Sequence, residues 1–235
     1  MAQNEARNNE LTSRDVLRAL EARAQSAQNE LAGRTDAGDD VLHYLAREGA
    51  VATRRAVAAN SAAPAHTNRY LADDADDDVR GELARKIARL MPGLSTREAA
   101  HIQKLTIETL ERLAADQAVR VRSILAEEIK NLDCVPVHII QALARDVEET
   151  VSIPILEYSP LLSDADLIEI IAEGKVHSVL SAIARRKPVS PNVSDAVVSA
   201  LDIPSVATLL ANPDAKIRER TLDAIIEQAE RISVW

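Results

Sequence analysis

The sequence predicts an all-α protein, an α-solenoid of about fourteen short antiparallel helices, and three observations carry that prediction. Aromatic residues make up 2% of the chain and Phe is absent, so its 46% hydrophobic content rests on Ala, Leu, Ile and Val. Side chains of that size suit closely packed helices. Period-two alternation of β-branched residues and Asn-Gly hairpin turns, the marks of sheet, are scarce. Finally, four stretches echo one another: "RRAVAANSAAPAHTNRYL", "IPILEYSPLLSDADLIEI", "SAIARRKPVSPNVSDAV" and "ATLLANPDAKIRERTLDAI". Each runs from an apolar helical pattern to a polar pivot (Asn60, Tyr158, Arg186 or Asn212), then a Pro or Ser turn and a second helical pattern. The last three pivots stand 28 and 26 residues apart. Two further phrases, "DDDVRGELARKIARL" and "DQAVRVRSILAEEIKNL", align Val79-Arg80 with Val119-Arg120. Self-similarity at periods of roughly 20 to 50 residues marks stacked helical repeats.

Taken in order, residues 1–11 are polar and read as a disordered N-terminus, with the solenoid occupying 12–235. An Ala-rich helix over 12–31 carries Val16, Leu17 and Leu20 on one stripe. Helices over 39–48 and 51–59 follow, the first ending at Gly49 as a left-handed terminator. Pro64 opens the next helix, and residues 76–90 form an amphipathic helix that Pro92-Gly93 stops. The phrase "STRE" from Ser95 to Glu98 reads as a capping box for a helix through Ile102, Leu105, Leu110 and Leu113. Asp116 caps a helix through Val119, Ile124 and Ile129, and Pro136 opens one carrying Val137, Ile140, Ala144 and Val147. Ser163 with Asp166 caps a helix that Gly174 ends; Ser190-Pro191 and Pro204 start two more, and Asp214 starts the last. A change of repeat period places a subregion seam near 131–160, where Pro154 kinks or delays a helix.

Composition excludes several classes of function. A net charge of −9 opposes non-specific attraction to nucleic acid or anionic lipid. The single Cys134 forbids an intramolecular disulfide and fits a reducing compartment. The first residues hold no apolar run of the signal-peptide kind, and no stretch approaches the length of a membrane span, so the cytoplasm is the expected location.

The candidate chemical sites are weak. In the run Asp73-Asp74-Ala75-Asp76-Asp77-Asp78, an EF-hand register starting at Asp74 puts Val79 and Arg85 where calcium binding needs Gly and Glu, so helix capping is the preferred reading. Cys134 and His138 are four residues apart, but two ligands make no zinc site, and His43, His66, His101 and His177 lack partnering spacing. No nucleophile elbow and no glycine-rich phosphate loop occurs. The expectation is a non-enzymatic chain with no metal and no cofactor.

The phrases "ILEYSPLLSDADLIEII", "AIARRKPVSPNVSDAVV" and "LLANPDAKI" resemble the hallmarks of a bacterial family catalogued as a domain of unknown function (2336), over roughly residues 35–235. Tyr158 interrupts the first hallmark and Lys187 lengthens the second. The "D…VR…LA" units resemble HEAT repeats, and "AVAANSAAP" resembles the leucine-rich-repeat variant. The resemblance implies HEAT-like helix pairs, carries no catalytic residues, and implies a longer protein truncated here at its C-terminus.

In HEAT-like pairs the second helix lines the concave face, and the sequence makes those helices basic: Arg54 and Arg55, then Arg80, Arg85, Lys86 and Arg89, then Arg120, Arg122 and Lys130, and later Arg185, Arg186 and Lys187. Arg54, Arg55, Arg85, Arg89 and Arg122 are the residues expected to bind a partner; Arg80 and Arg120 are expected to serve the repeat itself. Such a stripe on an acidic chain would steer an acidic segment of a protein partner, making the molecule a scaffold or adaptor. The alternative is a nucleic-acid binder using the same stripe, which the scarcity of aromatics and the acidic balance disfavour. A homodimer through exposed end helices is a further expectation.

Overall fold

The computed structural model describes residues 25–93, 100–174 and 176–231. Among the described residues every regular element is helical. There are fourteen α-helices, one 3-10 turn at Met91–Gly93, and an isolated bridge between Val189 and Ala215. The chain divides into two compact units, Met1–Leu125 and Ala126–Trp235.

The first unit holds α1 (Gln25–Gly33), α2 (Asp39–Glu48), α3 (Val51–Ala59), α4 (Ala65–Leu71), α5 (Asp77–Leu90) and α6 (Ala100–Ala114). Alternate helices pack side by side in two rows, α1 on α3 on α5 and α2 on α4 on α6. Between the rows Leu42, Leu45, Leu71, Leu83, Ile87, Leu110 and Leu113 are fully buried. Helix α7 (Val119–Ile129) contains the division.

The second unit holds α8 (Val137–Ala144), α9 (Glu149–Tyr158), α10 (Asp164–Ala172), α11 (His177–Ala184), α12 (Pro191–Ser199), α13 (Ile203–Ala211) and α14 (Glu219–Arg231). Its rows are α9 on α11 on α13, and α10 on α12 on α14, with α8 packed on α9. Ile139, Ile140, Leu143, Ile155, Ile170 and Ile183 lie between them.

Helix ends leave backbone carbonyls without partners, and the pivots answer that need. Asn60 donates its side-chain N–H groups to the carbonyls of Ala32 and Arg34, each at 2.8 Å, at the end of α1. Asn212 repeats the arrangement on Ala184 and Arg186, again at 2.8 Å, at the end of α11. In both, the side-chain oxygen accepts an N–H two residues on, from Ala62 and Asp214. Arg186 performs the same service on Leu156 and Ser159 at the end of α9, at 2.5 and 2.8 Å. Lys86, inside α5, reaches the carbonyls of Val57 and Asn60 at the end of α3, at 3.4 and 3.1 Å. Each donor lies 26 to 30 residues after its acceptors. An unmade bond to a buried carbonyl costs about 1–3 kcal/mol, so these rungs fix the spacing of the helices they join.

The predicted pivot Tyr158 is displaced by one residue. Ser159 is the buried C-terminal residue of α9 whose hydroxyl accepts the Leu161 N–H, as Asn60 and Asn212 do, while Tyr158 is 49% exposed. The predicted match of Val79-Arg80 with Val119-Arg120 slips by two. Arg80 bonds the Asp74 carbonyl and Arg122 the Asp116 carbonyl, so Val121-Arg122 is the counterpart.

Other boundaries follow the sequence closely. The capping box at Ser163 and Asp166 is present, Ser190 caps α12 ahead of Pro191, and Gly174 adopts φ +70° after α10. Three expectations change. Gly49 is not left-handed; a Cβ there would meet the Leu45 carbonyl at 2.4 Å and Thr53 at 2.9 Å, so close approach requires the glycine. Helix α8 ends at Ala144 and leaves Val147 90% exposed. The last helix begins at Glu219, because the segment after Asn212 first runs alongside Val189, whose carbonyl accepts the Lys216 N–H. The predicted disordered N-terminus over 1–11, the 12–24 part of the helix predicted over 12–31, and the "STRE" box lie outside the described residues.

Candidate functional site

The five arginines expected to bind a partner do not form one free cationic face. Arg54 grips Asp74 through two bonds of 2.6 and 2.9 Å and also bonds the Gly49 carbonyl; only 20% of its side chain and 4% of that of Asp74 are exposed. Its bond to Asp74, opposed by burial, holds the guanidinium pKa above its ordinary value. Arg122 spans the Asp116 and Gln117 carbonyls. Arg55 and Arg85 share Glu82, each at 3.1 Å, and Arg120 pairs with Asp78 at 2.5 Å beside them. These groups line a cleft of about 240 Å³ in which three arginines share two carboxylates, so each arginine already has an acidic partner. Arg89 is exposed and makes no ion pair among the described residues. Arg80 is structural, as expected, closing on Asp116 at 2.5 and 3.0 Å.

The acidic run is consumed in the same way. Asp76 caps α5, accepting N–H bonds from Asp78 and Val79. Asp74 holds Arg54, and Asp73 takes Arg69 and Arg112 at 2.8 and 2.5 Å. Burial pushes the Asp73 pKa up, but the bonds from both arginines hold it below the ordinary carboxylate value. Among the described residues no group of three or more His, Cys, Asp or Glu side chains is placed to hold a metal ion.

One constellation combines serine, histidine and aspartate. His177 Nδ1 lies 3.2 Å from Asp202 and 3.3 Å from Ser181, and Ser181 lies 3.1 Å from Ser205, which also bonds Asp202. A hydrolytic triad needs the two imidazole nitrogens on different partners. Here one nitrogen serves both, and both serines are buried. Asp202 simply caps α13 through the Ser205 N–H at 3.0 Å.

The most distinctive surface feature is a groove of about 680 Å³ in the second unit, where α9, α11 and α13 end together. Tyr158, Arg185, Lys187, Thr208, Asn212 and Pro213 line it. At its edge the Lys130 ammonium stands 4.7 Å over the Tyr158 ring, a cation–π contact. Glu157 is the acidic lining residue, and it is already engaged. Arg185 Nε donates to it at 2.8 Å, and its hydrogen bond with the Tyr158 hydroxyl pushes the phenol pKa up. Lys187 is exposed and has no ionic partner among the described residues. Sequence reasoning named Tyr158 as a pivot and Arg185 and Lys187 as members of a basic phrase, but assigned none of them to a site. The signal was the extra Lys in the "AIARRKPVS" phrase.

No helix among the described residues is long and apolar enough to cross a membrane. No curated protein and no solved structure matches the chain. A family model does match: residues 151–235, which supply α9 to α14 and nearly all of the groove, match the family described as an uncharacterised protein conserved in bacteria (DUF2336).

Proposed function

We propose that this chain is a non-enzymatic cytoplasmic adaptor, built as an α-solenoid of HEAT-like antiparallel helix pairs, that binds a protein partner through an acidic segment. The observation that carries this reading is the pairing of rows and rungs. Alternate helices stack within each unit, and Asn60, Lys86, Arg186 and Asn212 lock each repeat to the one before it. Repeats joined this way present long, regular surfaces whose natural use is docking. Most of the ionisable side chains described above are spent on caps and joints, and among the described residues the others form no converging set.

A nucleic-acid ligand is the competing reading, favoured by the Lys130–Tyr158 stack. A chain of net charge −9 with 2% aromatics lacks the usual footprint of such binders. Self-association through α14, where Leu222 and Ile226 are exposed, is a further proposal that light scattering tests. The adaptor reading is tested by in-cell cross-linking followed by mass spectrometry. A protein recovered in stoichiometric amount and reconstituted with the purified chain supports it; recovery of nucleic acid, or of no stoichiometric protein, overturns it.

A further inference from the structure

We infer that the groove at the ends of α9, α11 and α13, rather than the arginines of the first unit, receives the partner, as an extended acidic peptide laid across the three helices. The inference rests on the adaptor reading and adds where, and in what conformation, the segment binds.

Helix C-termini ordinarily repel anions, because their free carbonyls carry the negative end of the macrodipole. At two of the three helix ends here, side chains occupy such carbonyls. Arg186 takes Leu156 and Ser159 at the end of α9, and Asn212 takes Ala184 and Arg186 at the end of α11. The acidic lining residue, Glu157, is held by Arg185. What faces outward is Lys187, the terminal nitrogens of Arg185, which spends only Nε on Glu157, and the exposed ring of Tyr158 backed by Lys130. Two cations and an aromatic on an otherwise acidic protein select a ligand with carboxylates flanking an apolar residue.

Geometry sets the conformation. Packed helices lie roughly 8–10 Å apart, so the span from α9 to α13 is roughly 16–20 Å. A strand rises about 3.3 Å per residue, so roughly five or six extended residues cover it. A helical ligand would need about twice as many residues for the same span, at about 1.5 Å each.

The test uses the full chain and fluorescence anisotropy with three labelled probes: a glutamate–leucine peptide of roughly eight residues, its lysine–leucine counterpart, and single-stranded oligothymidine. The glutamate peptide is expected to bind and the other two are not. Arg185→Glu combined with Lys187→Glu should weaken it by at least about tenfold, while Arg55→Glu combined with Arg89→Glu should change it less than about twofold. Lys187→Glu alone breaks no intramolecular pair among the described residues, and so keeps the test valid if the double variant misfolds. Its expected loss is about threefold or more. Undiminished binding in the Lys187 variant, loss in the Arg55/Arg89 variant, preference for the lysine peptide or oligothymidine, or no binding of the glutamate peptide overturns the groove. The adaptor reading itself falls only on the cross-linking result, through recovery of nucleic acid or of no stoichiometric protein.

Discussion

In the first unit Arg54 closes on Asp74, Arg80 closes on Asp116, and Lys86 stands 5% exposed among three oxygens, the third being Asn68 Oδ1 at 2.5 Å. In the second unit Asn212 and the half-buried Arg186 make the rungs, and Ser163, Ser190 and Asp202 cap the helix starts. Both units face the same demand, orphan carbonyls and N–H groups at the ends of many short helices. The first meets part of it with charged side chains: Arg54 and Arg80 bond carbonyls 5 and 6 residues back, and Lys86 bonds carbonyls 29 and 26 residues back. Its buried ion pairs, Arg54–Asp74 and Arg80–Asp116, tie segments 20 and 36 residues apart. In the second unit the long rungs are Arg186 and Asn212, ion pairs such as Arg185–Glu157 and Arg145–Glu169 are more exposed, and local caps act within three residues. Buried ion pairs couple neighbouring helices and answer to pH, whereas the serine caps stabilise single helices and do not titrate.

The most forceful way to break the first unit is Arg80→Met, which leaves Asp116 buried and unpaired. It should lower the stability of the unit holding α1–α6 by about 3–5 kcal/mol in chemical denaturation, and a loss below about 1 kcal/mol would mean the joint is not structural.

Lys86 sharpens the contrast through pH. Burial lowers its pKa from 10.5 to about 7. Between those values the unfolded chain binds more protons than the folded one, so stability climbs as pH rises from about 7 and levels off above about 10.5. The slope is at most about 1.4 kcal/mol per pH unit. Lys86→Met should remove that climb in denaturation series at several alkaline pH values; parallel profiles for variant and parent would refute the assignment.

The two asparagines compare the same rung in different surroundings. Asn60→Ala and Asn212→Ala each orphan two carbonyls, and each should cost about 1–3 kcal/mol. Asn60 is the more buried, so its loss should be the larger, measured as the shift in denaturation midpoint. Smallest of all, Leu201 adopts φ 58° after α12 with its side chain 61% exposed. Leu201→Gly should raise stability by about 0.5 kcal/mol in thermal melts, because glycine takes that conformation without steric cost.

Much of this architecture was legible in the sequence. Asn60, Arg186 and Asn212 stood out because each interrupts an apolar phrase just before a turn, and helix ends were marked by Ser163, Ser190 and Gly174, whose local chemistry is self-contained. Lys86 reads as one more cation of the basic stripe, not as a joint. It sits in mid-helix in "ELARKIARL", where a lysine reads as a solvated face and nothing local reveals the oxygens around it. Ser159 was masked by the bulkier Tyr158 beside it, and "VRVR" offered two alignments of which the nearer was wrong. The arginines of the candidate site illustrate a more general limit. Charge can be counted from sequence, but whether it is free depends on partners such as Asp74 and Glu82, 20 and 27 residues away.

The rungs also have a direction. In each of the four, the donor belongs to a later part of the chain and the acceptors to an earlier helix end, with offsets of 26 to 30 residues. During synthesis, therefore, each of these helix ends emerges from the ribosome with its carbonyls still waiting for a side chain not yet made. A cut-and-splice experiment that deletes or duplicates one such module in register would carry the donor with it, whereas a shift by even a few residues would strand both ends.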